Sequence, residues 1–176
     1  GILLKRYKRF LADVRLISGE EVTAHCPNTG SMLNCSEPGQ TVFLSQHDNP
    51  KRKYPYTWQL IQMPTSLVGI NTLIPNHLVA KSIAAEFVKS LRGYDTIQRE
   101  VAVGNHTRID LKLSSSGRRN CFIEIKNCTL VVDGIARFPD AVTARGVKHL
   151  VELERLCMKG ARCTMFYFVQ RMDARS

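Results

Sequence analysis

The residues best suited by type and spacing to do chemistry are Asp110, in Arg108-Ile109-Asp110, and the Glu124-x-Lys126 unit of Ile123-Glu124-Ile125-Lys126. Thirteen residues separate the two carboxylates. Both pieces lie in apolar alternation, Ile109, Leu111 and Leu113 in one and Phe122, Ile123 and Ile125 in the other, which predicts two strands. Residues i and i+2 share a strand face, so Glu124 and Lys126 are expected to point the same way. The polar segment 114–120, with Gly117, predicts the connecting turn. A hairpin built this way can bring Asp110 to Glu124 and Lys126. Two adjacent carboxylates repel unless a cation lies between them, and oxygen ligands favour a hard ion such as Mg²⁺ or Mn²⁺. A lysine beside that ion can orient or help deprotonate a water for attack on a phosphodiester. The competing reading is a solvated hairpin with a salt bridge.

The spacing D-x13-E-x-K resembles the PD-(D/E)XK nuclease superfamily. The proline of that pattern is absent, since Ile109 precedes Asp110.

The elements around this hairpin belong to a chain of 176 residues, long enough for one large or two small domains. Its net charge of +10 points to partners bearing negative charge, nucleic acid or an anionic surface. No apolar run approaches the ~18 residues that span a bilayer. The opening Gly1-Ile2-Leu3-Leu4 precedes Lys5-Arg6-Tyr7-Lys8-Arg9, the reverse of a secretory signal's charge order. The six cysteines form no CxxC pair and the histidines add no zinc spacing. They are read as reduced thiols of a cytoplasmic protein.

Residues 1–68 read as short strands: Tyr7 to Leu16, Glu21 to Cys26, Gln40 to Ser45, Tyr56 to Gln62 and Leu67 to Ile70. Five short strands with turn signals predict a small β-barrel of the OB type. Two basic clusters interleave with rings: Lys5, Arg6, Lys8 and Arg9 around Tyr7 and Phe10, and Lys51, Arg52 and Lys53 before Tyr54, Tyr56 and Trp58. Phosphates attract the charges and bases can stack on the rings. Alternatively, Phe10 and Trp58 fill the barrel and the charges form a solvated rim. Residues 1–68 carry eight lysines and arginines against five acids, and the remainder seventeen against ten, so the positive field extends over both parts.

From Ile74-Pro75-Asn76 the period becomes helical, predicting a helix over 75–91 that Gly93 stops. A strand from Ile97 to Val103 follows, then the hairpin, then apolar material from Thr129 to Val132 and a loop, 133–136. A second helix is expected from Ala141 to Lys159, with Val147, Leu150, Val151, Leu153, Leu156 and Cys157 on its apolar side. Cys163 to Val169 reads as a buried strand. The order helix, three strands, helix, strand suits a restriction-endonuclease-like core over 69–176.

The assembled pattern resembles the sugar fermentation stimulation protein A family. The segments that carry the resemblance are Arg6–Val14, His25-Cys26-Pro27-Asn28-Thr29-Gly30, Lys51–Trp58, Arg108-Ile109-Asp110, Ile123–Leu130 and Phe138–Leu150. The resemblance implies an α+β chain, an N-terminal OB-fold joined to a PD-(D/E)XK-like domain. It also implies DNA binding without sequence specificity and a regulatory link to sugar (maltose) metabolism. It implies a further helix and strand beyond Ser176, so the nuclease-like sheet is expected to lack an edge strand here.

On the metal reading, Asp110, Glu124 and the carbonyl of Ile125 hold Mg²⁺ or Mn²⁺, and Lys126 contacts the attacking water or the scissile phosphate. Glu100 is a further candidate ligand, or a surface strand charge. Asp140 is a candidate at the second helix's start, or simply its N-cap. Arg145, Lys148 and His149 lie in that helix's first turns. Arg145 and His149, four apart, share a face that can reach a phosphate, or form a solvated face. His25 either touches DNA or holds the loop that follows it. No nucleophile-elbow sequence is present, which disfavours serine or cysteine hydrolysis. Two functions compete: a non-specific DNA-binding protein with a nuclease-like site, and a Mg²⁺- or Mn²⁺-dependent endonuclease. A purely protein-binding scaffold fits the basic clusters poorly.

Overall fold

A computed structural model of the chain describes residues 1–104, 107–139 and 144–176, without the side chains of 144 and 145. It divides into two compact units. The first is Gly1–Leu73 with Asn127–Ala141 and Val169–Ser176; the second is Ile74–Lys126 with Val142–Phe168. The chain therefore returns to the first unit twice after leaving it.

In the first unit, β1 (Ile2–Tyr7), β2 (Leu11–Arg15), β3 (Glu21–His25), β4 (Val42–Gln46) and β5 (Tyr56–Gln62) pair in the order β1-β2-β3-β5-β4, and β6 (Leu67–Gly69) pairs with β5. The β3–β5 pair is parallel and the others antiparallel. The last strand of that order meets the first. Leu3 N donates to Gln40 O at 2.9 Å, Val42 N donates to Gly1 O at 2.8 Å, and Ile2 bridges Thr41. A five-stranded sheet closed in this order is an OB barrel, and closure satisfies both sheet edges.

Leu3, Val14, Trp58, Ile61 and Val68 fill the barrel. Trp58 is fully buried, with its indole N–H donating to Leu60 O at 2.9 Å, whereas Phe10 is 46% exposed. The two rings thus part company: one is core, the other surface.

The first strand differs from the sequence expectation. Residues expected to start a strand at Tyr7 instead end one. Lys8 (φ 50°) and Arg9 (φ 64°) form the turn of a β1–β2 hairpin. The run Lys5–Arg9 masks β1, in which Leu3 alone is fully buried. A second hairpin, β10 (Leu130–Val132) with β11 (Ile135–Arg137), stands where a loop was expected. Asp133 (φ 54°) and Gly134 (φ 78°) supply the two positive-φ residues of a tight hairpin turn.

In the second unit, α1 (Ile74–Ala84) precedes β7 (Thr96–Val103), β8 (Thr107–Ser114) and β9 (Cys121–Cys128); α2 (Ala144–Met158) then leads to β12 (Arg162–Val169). The sheet order is β12-β9-β8-β7, antiparallel from β7 to β9. Arg162 N donates to Asn120 O, and Gln170 N to Cys128 O, so β12 runs in the direction of β9. Each sheet face has its own apolar cluster. Leu111, Leu113, Ile123 and Ile125 pack with Val79 and Ile83 of α1. Ile109 and Phe122 pack with Leu153 and Leu156 of α2.

Three details depart from the periodicity. The first helix stops at Ala84, because Glu86 adopts φ 57°, and a 3₁₀ turn covers Lys89–Leu91. On α2, Leu153 and Leu156 are buried but Val147, Leu150 and Val151 are more than half exposed. Strand β12 is an edge strand of half-buried and exposed residues, not an interior one. The expected helix start at Ala141 lies outside the described residues. Among the described residues no helix is long and apolar enough to cross a membrane.

Because Trp58 fills the barrel, Trp58→Ala is expected to cost about 3–5 kcal/mol. Phe10→Ala should cost under about 1 kcal/mol. Urea denaturation of both variants followed by circular dichroism checks the contrast.

Candidate metal and nucleic-acid sites

Asp110 lies where the sheet changes its mind about which face is which. Leu111 and Leu113 pack toward α1, yet Ile109, two residues earlier, packs toward α2. The β8–β9 ladder pairs Leu111 with Ile123 through to Leu113 with Cys121. Beyond it, the Ile125 N–H donates to Asp110 Oδ2 at 2.6 Å, a side-chain carboxylate standing where a strand carbonyl would. The other oxygen, Oδ1, accepts from Asn76 Nδ2 at 2.8 Å, in the first turn of α1. Burial pushes the Asp110 carboxyl above its ordinary range. The Ile125 amide, Asn76 and Lys126 pull it down, the Glu124 charge pushes it up, and the net is upward.

Glu124 is 1% exposed. Its Oε1 accepts from both Lys126 Nζ and His149 Nδ1, while its Oε2 is buried and, among the described residues, without a hydrogen-bond partner. An isolated buried carboxylate oxygen is costly. The structure therefore brings Asp110, Glu124, Lys126 and His149 together, and leaves one anionic oxygen open beside a second carboxylate. These are hard oxygen donors, and the open Oε2 fits a divalent cation. Among the described residues no group of three His, Cys, Asp or Glu side chains converges as a metal cage. A cation here would draw its remaining ligands from water or phosphate, as Mg²⁺ usually does.

At the barrel, the register gathers the two basic clusters at one end. His25 pairs with Leu11 on β2 and with Thr57 on β5, and Cys26 N donates to Phe10 O at 2.8 Å. Arg52 Nη2 donates to Thr57 Oγ1 at 3.0 Å. The turn bearing Lys8 and Arg9 and the loop bearing Lys51, Arg52 and Lys53 thus flank His25. Burial, and then the Arg52 charge, hold the His25 imidazole below its ordinary pKa. Lys8, Arg9, Lys51 and Lys53 are exposed, and Lys53 lies 5.6 Å from the Tyr54 ring.

Two residues of the first cluster are otherwise engaged. Arg6 Nη2 donates to the carbonyls of Arg9, Asn28 and Gly30 at 2.8–3.0 Å, so it clamps the Pro27–Gly30 loop instead of facing a phosphate. Lys5 pairs with Asp13 at 3.3 Å.

Two family models cover nearly the whole chain: the SfsA N-terminal OB domain matches residues 4–70, and the Sugar fermentation stimulation protein RE domain matches 73–176. The chain belongs to the sugar fermentation stimulation protein (SfsA) family. SfsA homologs of Geobacter sulfurreducens and Acidithiobacillus ferrooxidans are 53% and 50% identical to it, each over 98% of this chain. The matches span 74% and 75% of those relatives. A solved structure of Pyrococcus furiosus SfsA in complex with Ca²⁺ superposes with a TM-score of 0.88 at 26% identity. It covers 98% of this chain and 73% of the archaeal one.

Of the remaining candidates, Glu100 and Lys148 are exposed and others lie outside the described residues. Glu100 is exposed with φ 51°, and the β7–β8 register, Arg99 with Leu111 and Val101 with Ile109, sets its position opposite Asp110 on the neighbouring strand. Lys148 is exposed. Asp140 and the side chain of Arg145 lie outside the described residues. His149 does not share a solvent face for phosphate: it is 8% exposed and turned to Glu124, on the stripe it forms with Leu153 and Leu156. That stripe was visible in the sequence at i, i+4 and i+7. Asn76 gave no such signal, since a polar residue in a helix's first turn is ordinary.

Two titrations test this electrostatic account. Hydrogen bonding to a carboxylate favours its charged form, so Asn76→Ala should raise the Asp110 pKa further. Carboxyl carbon NMR of the two proteins reads the shift. Arg52→Ala should move the His25 pKa upward, toward 6.5, in a proton NMR titration, because a neighbouring positive charge is removed.

Proposed function

We infer that this SfsA-family chain binds DNA without sequence preference, holds a divalent cation at Asp110 and Glu124, and acts in the cytoplasm in the regulation of sugar (maltose) metabolism. The observation that carries the metal part is Glu124 Oε2, buried beside Asp110 and unpartnered among the described residues. The Ca²⁺ complex of the archaeal relative supports the same reading. The DNA part rests on the net charge of +10 and on the exposed Lys8, Arg9, Lys51 and Lys53 gathered around His25.

A bound Mg²⁺ or Mn²⁺ would supply a Lewis acid for a phosphate oxygen. The chain's own residues prepare the place. His149 and Lys126 fix Glu124 by one oxygen and leave the other free. Asn76 and the Ile125 amide fix Asp110 by both. Lys126 here is the counter-charge of Glu124 and spends one of its three N–H donors on Oε1, which leaves two for a water or a phosphate oxygen. The second reading, a Mg²⁺- or Mn²⁺-dependent endonuclease, is favoured by the meeting of Asp110, Glu124 and Lys126.

Isothermal titration with Mg²⁺, Mn²⁺ and Ca²⁺ should show saturable binding. Asp110→Ala and Glu124→Ala should each weaken it by more than the ~10–100-fold that loss of a group behind a ligand costs. Duplex affinity should fall steeply with salt, and each of Lys8→Gln, Arg9→Gln, Lys51→Gln and Lys53→Gln that removes a phosphate contact should reduce the log–log slope by about one. A flat salt series removes the DNA reading. Plasmid nicking in Mn²⁺ that disappears in both carboxylate variants selects the endonuclease, and nicking that persists in both rejects it.

A further inference from the structure

At the far end of the second unit's sheet, where β8 turns into β9, Tyr94, Gly117, Arg118, Arg119 and Arg162 line an open cleft of about 450 Å³. That volume is within the range of small-ligand sites. Asn120, at its rim, precedes Glu124 by four residues, about 14 Å at ~3.4 Å per strand residue. The cleft is thus separate from the carboxylate pair.

Its three arginines do different things. Arg118 builds the walls: Nη1 donates to the carbonyls of Arg92 and Gly93 at 2.7 Å each, and its guanidinium lies 5.1 Å from the Tyr94 ring. Gly93 suits this place on two counts. It adopts φ 79°, and a Cβ there would run into the Arg118 guanidinium. Tyr94 in turn donates its hydroxyl to Arg119 O at 3.3 Å, and Arg162 N donates to Asn120 O at 2.9 Å. Three chain segments are tied together by these bonds. The ties leave the guanidinium groups of Arg119 and Arg162 exposed and, among the described residues, without an acidic or carbonyl partner. No carboxylate lines the cleft, and the neighbouring Asp95 is occupied by the Ser115 hydroxyl.

Like charges held in one concavity favour an anion, and the planar guanidinium fork matches phosphate oxygens. We propose that the Tyr94–Arg119–Arg162 cleft binds a phosphoester group, carried either by a free phosphate ester or by the backbone of a polynucleotide. Arg119 and Arg162 grip the phosphate, and Arg118 with Tyr94 holds the walls in place.

The test uses the full chain in EDTA, so that the carboxylate site contributes no metal. Pyrophosphate is titrated calorimetrically into wild type and into the Arg119→Gln/Arg162→Gln double variant. In parallel, fluorescence anisotropy follows a labelled duplex through a salt series. Neither side chain has a partner to lose, so the melting temperature should not move; if it falls, the single Arg162→Gln variant carries the comparison. Pyrophosphate affinity is expected to drop at least tenfold in the double variant. A salt slope reduced by about two assigns the phosphate to DNA, one unit for each lost contact. An unchanged slope with lost pyrophosphate binding assigns the cleft to a free phosphate ester. Pyrophosphate binding and salt slope both equal in the two proteins overturn the proposal. The pyrophosphate arm decides the matter even where duplex binding fails altogether.

Discussion

One buried carboxylate governs the second unit. Glu124 sits in the interior of β9 at 1% exposure, where an unpaired negative charge is strongly disfavoured. Two cationic or hydrogen-bonding groups answer it from different elements: Lys126 from its own strand and His149 from α2. Both choose the same oxygen. The outcome is a charge that is balanced but asymmetrically held, with one lone-pair set committed and the other bare. A core packed for stability alone would satisfy both oxygens or replace the acid with an apolar side chain. The asymmetry makes sense if the bare oxygen is reserved for something that arrives later.

The backbone around it has been adjusted to the same end. A regular β8–β9 ladder would pair the Ile125 N–H with a backbone carbonyl and direct Ile109 to the face that Leu111 occupies. Instead the alternation breaks at Asp110, and the amide is satisfied by a carboxylate. That substitution keeps the N–H paired, as burial requires. It also holds Asp110 within electrostatic reach of Glu124, and the mutual repulsion raises the Asp110 pKa on top of burial. Asn76, at the start of α1, fixes the remaining oxygen. Four elements thus converge on two acids: β8, β9 and both helices.

The sequence made the hairpin legible because its signal is local. Alternating Ile109, Leu111 and Leu113, a polar turn, and a second alternating run specify two strands and the facing of Glu124 with Lys126. The barrel was legible as a set of short strands, but β1 was not, since Lys5–Arg9 overwhelms the single buried Leu3. The end of α1 was hidden for the opposite reason. Ala84, Ala85, Phe87 and Val88 continue a helical pattern that the backbone abandons at Glu86. The return of residues 127–141 and 169–176 to the first unit is a matter of long-range pairing, such as Gly69 N to Gln170 O, on which local periodicity is silent. The apolar stripe of α2 shows the limit from another side. Val147, Leu150 and Val151 read like core and are exposed, while His149 reads like surface and is buried.

Composition also misleads about which cations are free to meet an anion. Arg6 stands in the densest basic run of the chain, yet its guanidinium is committed to three carbonyls of a neighbouring turn and loop. Arg118 is committed in the same manner to Arg92 and Gly93. Such arginines are structural: they replace the backbone partners that tight loops cannot supply for themselves. Beside each stand cations that have no partner among the described residues, Lys8 and Arg9 at the barrel, Arg119 and, at the start of β12, Arg162 on the second unit. The loop-clamping arginine fixes the geometry, and its unpaired neighbours face solvent from a stiffened segment. Stiffening lowers the ordering entropy that an arriving phosphate would otherwise have to overcome. A net charge of +10 says only that anions are attracted; the hydrogen-bond partners say where one can be held.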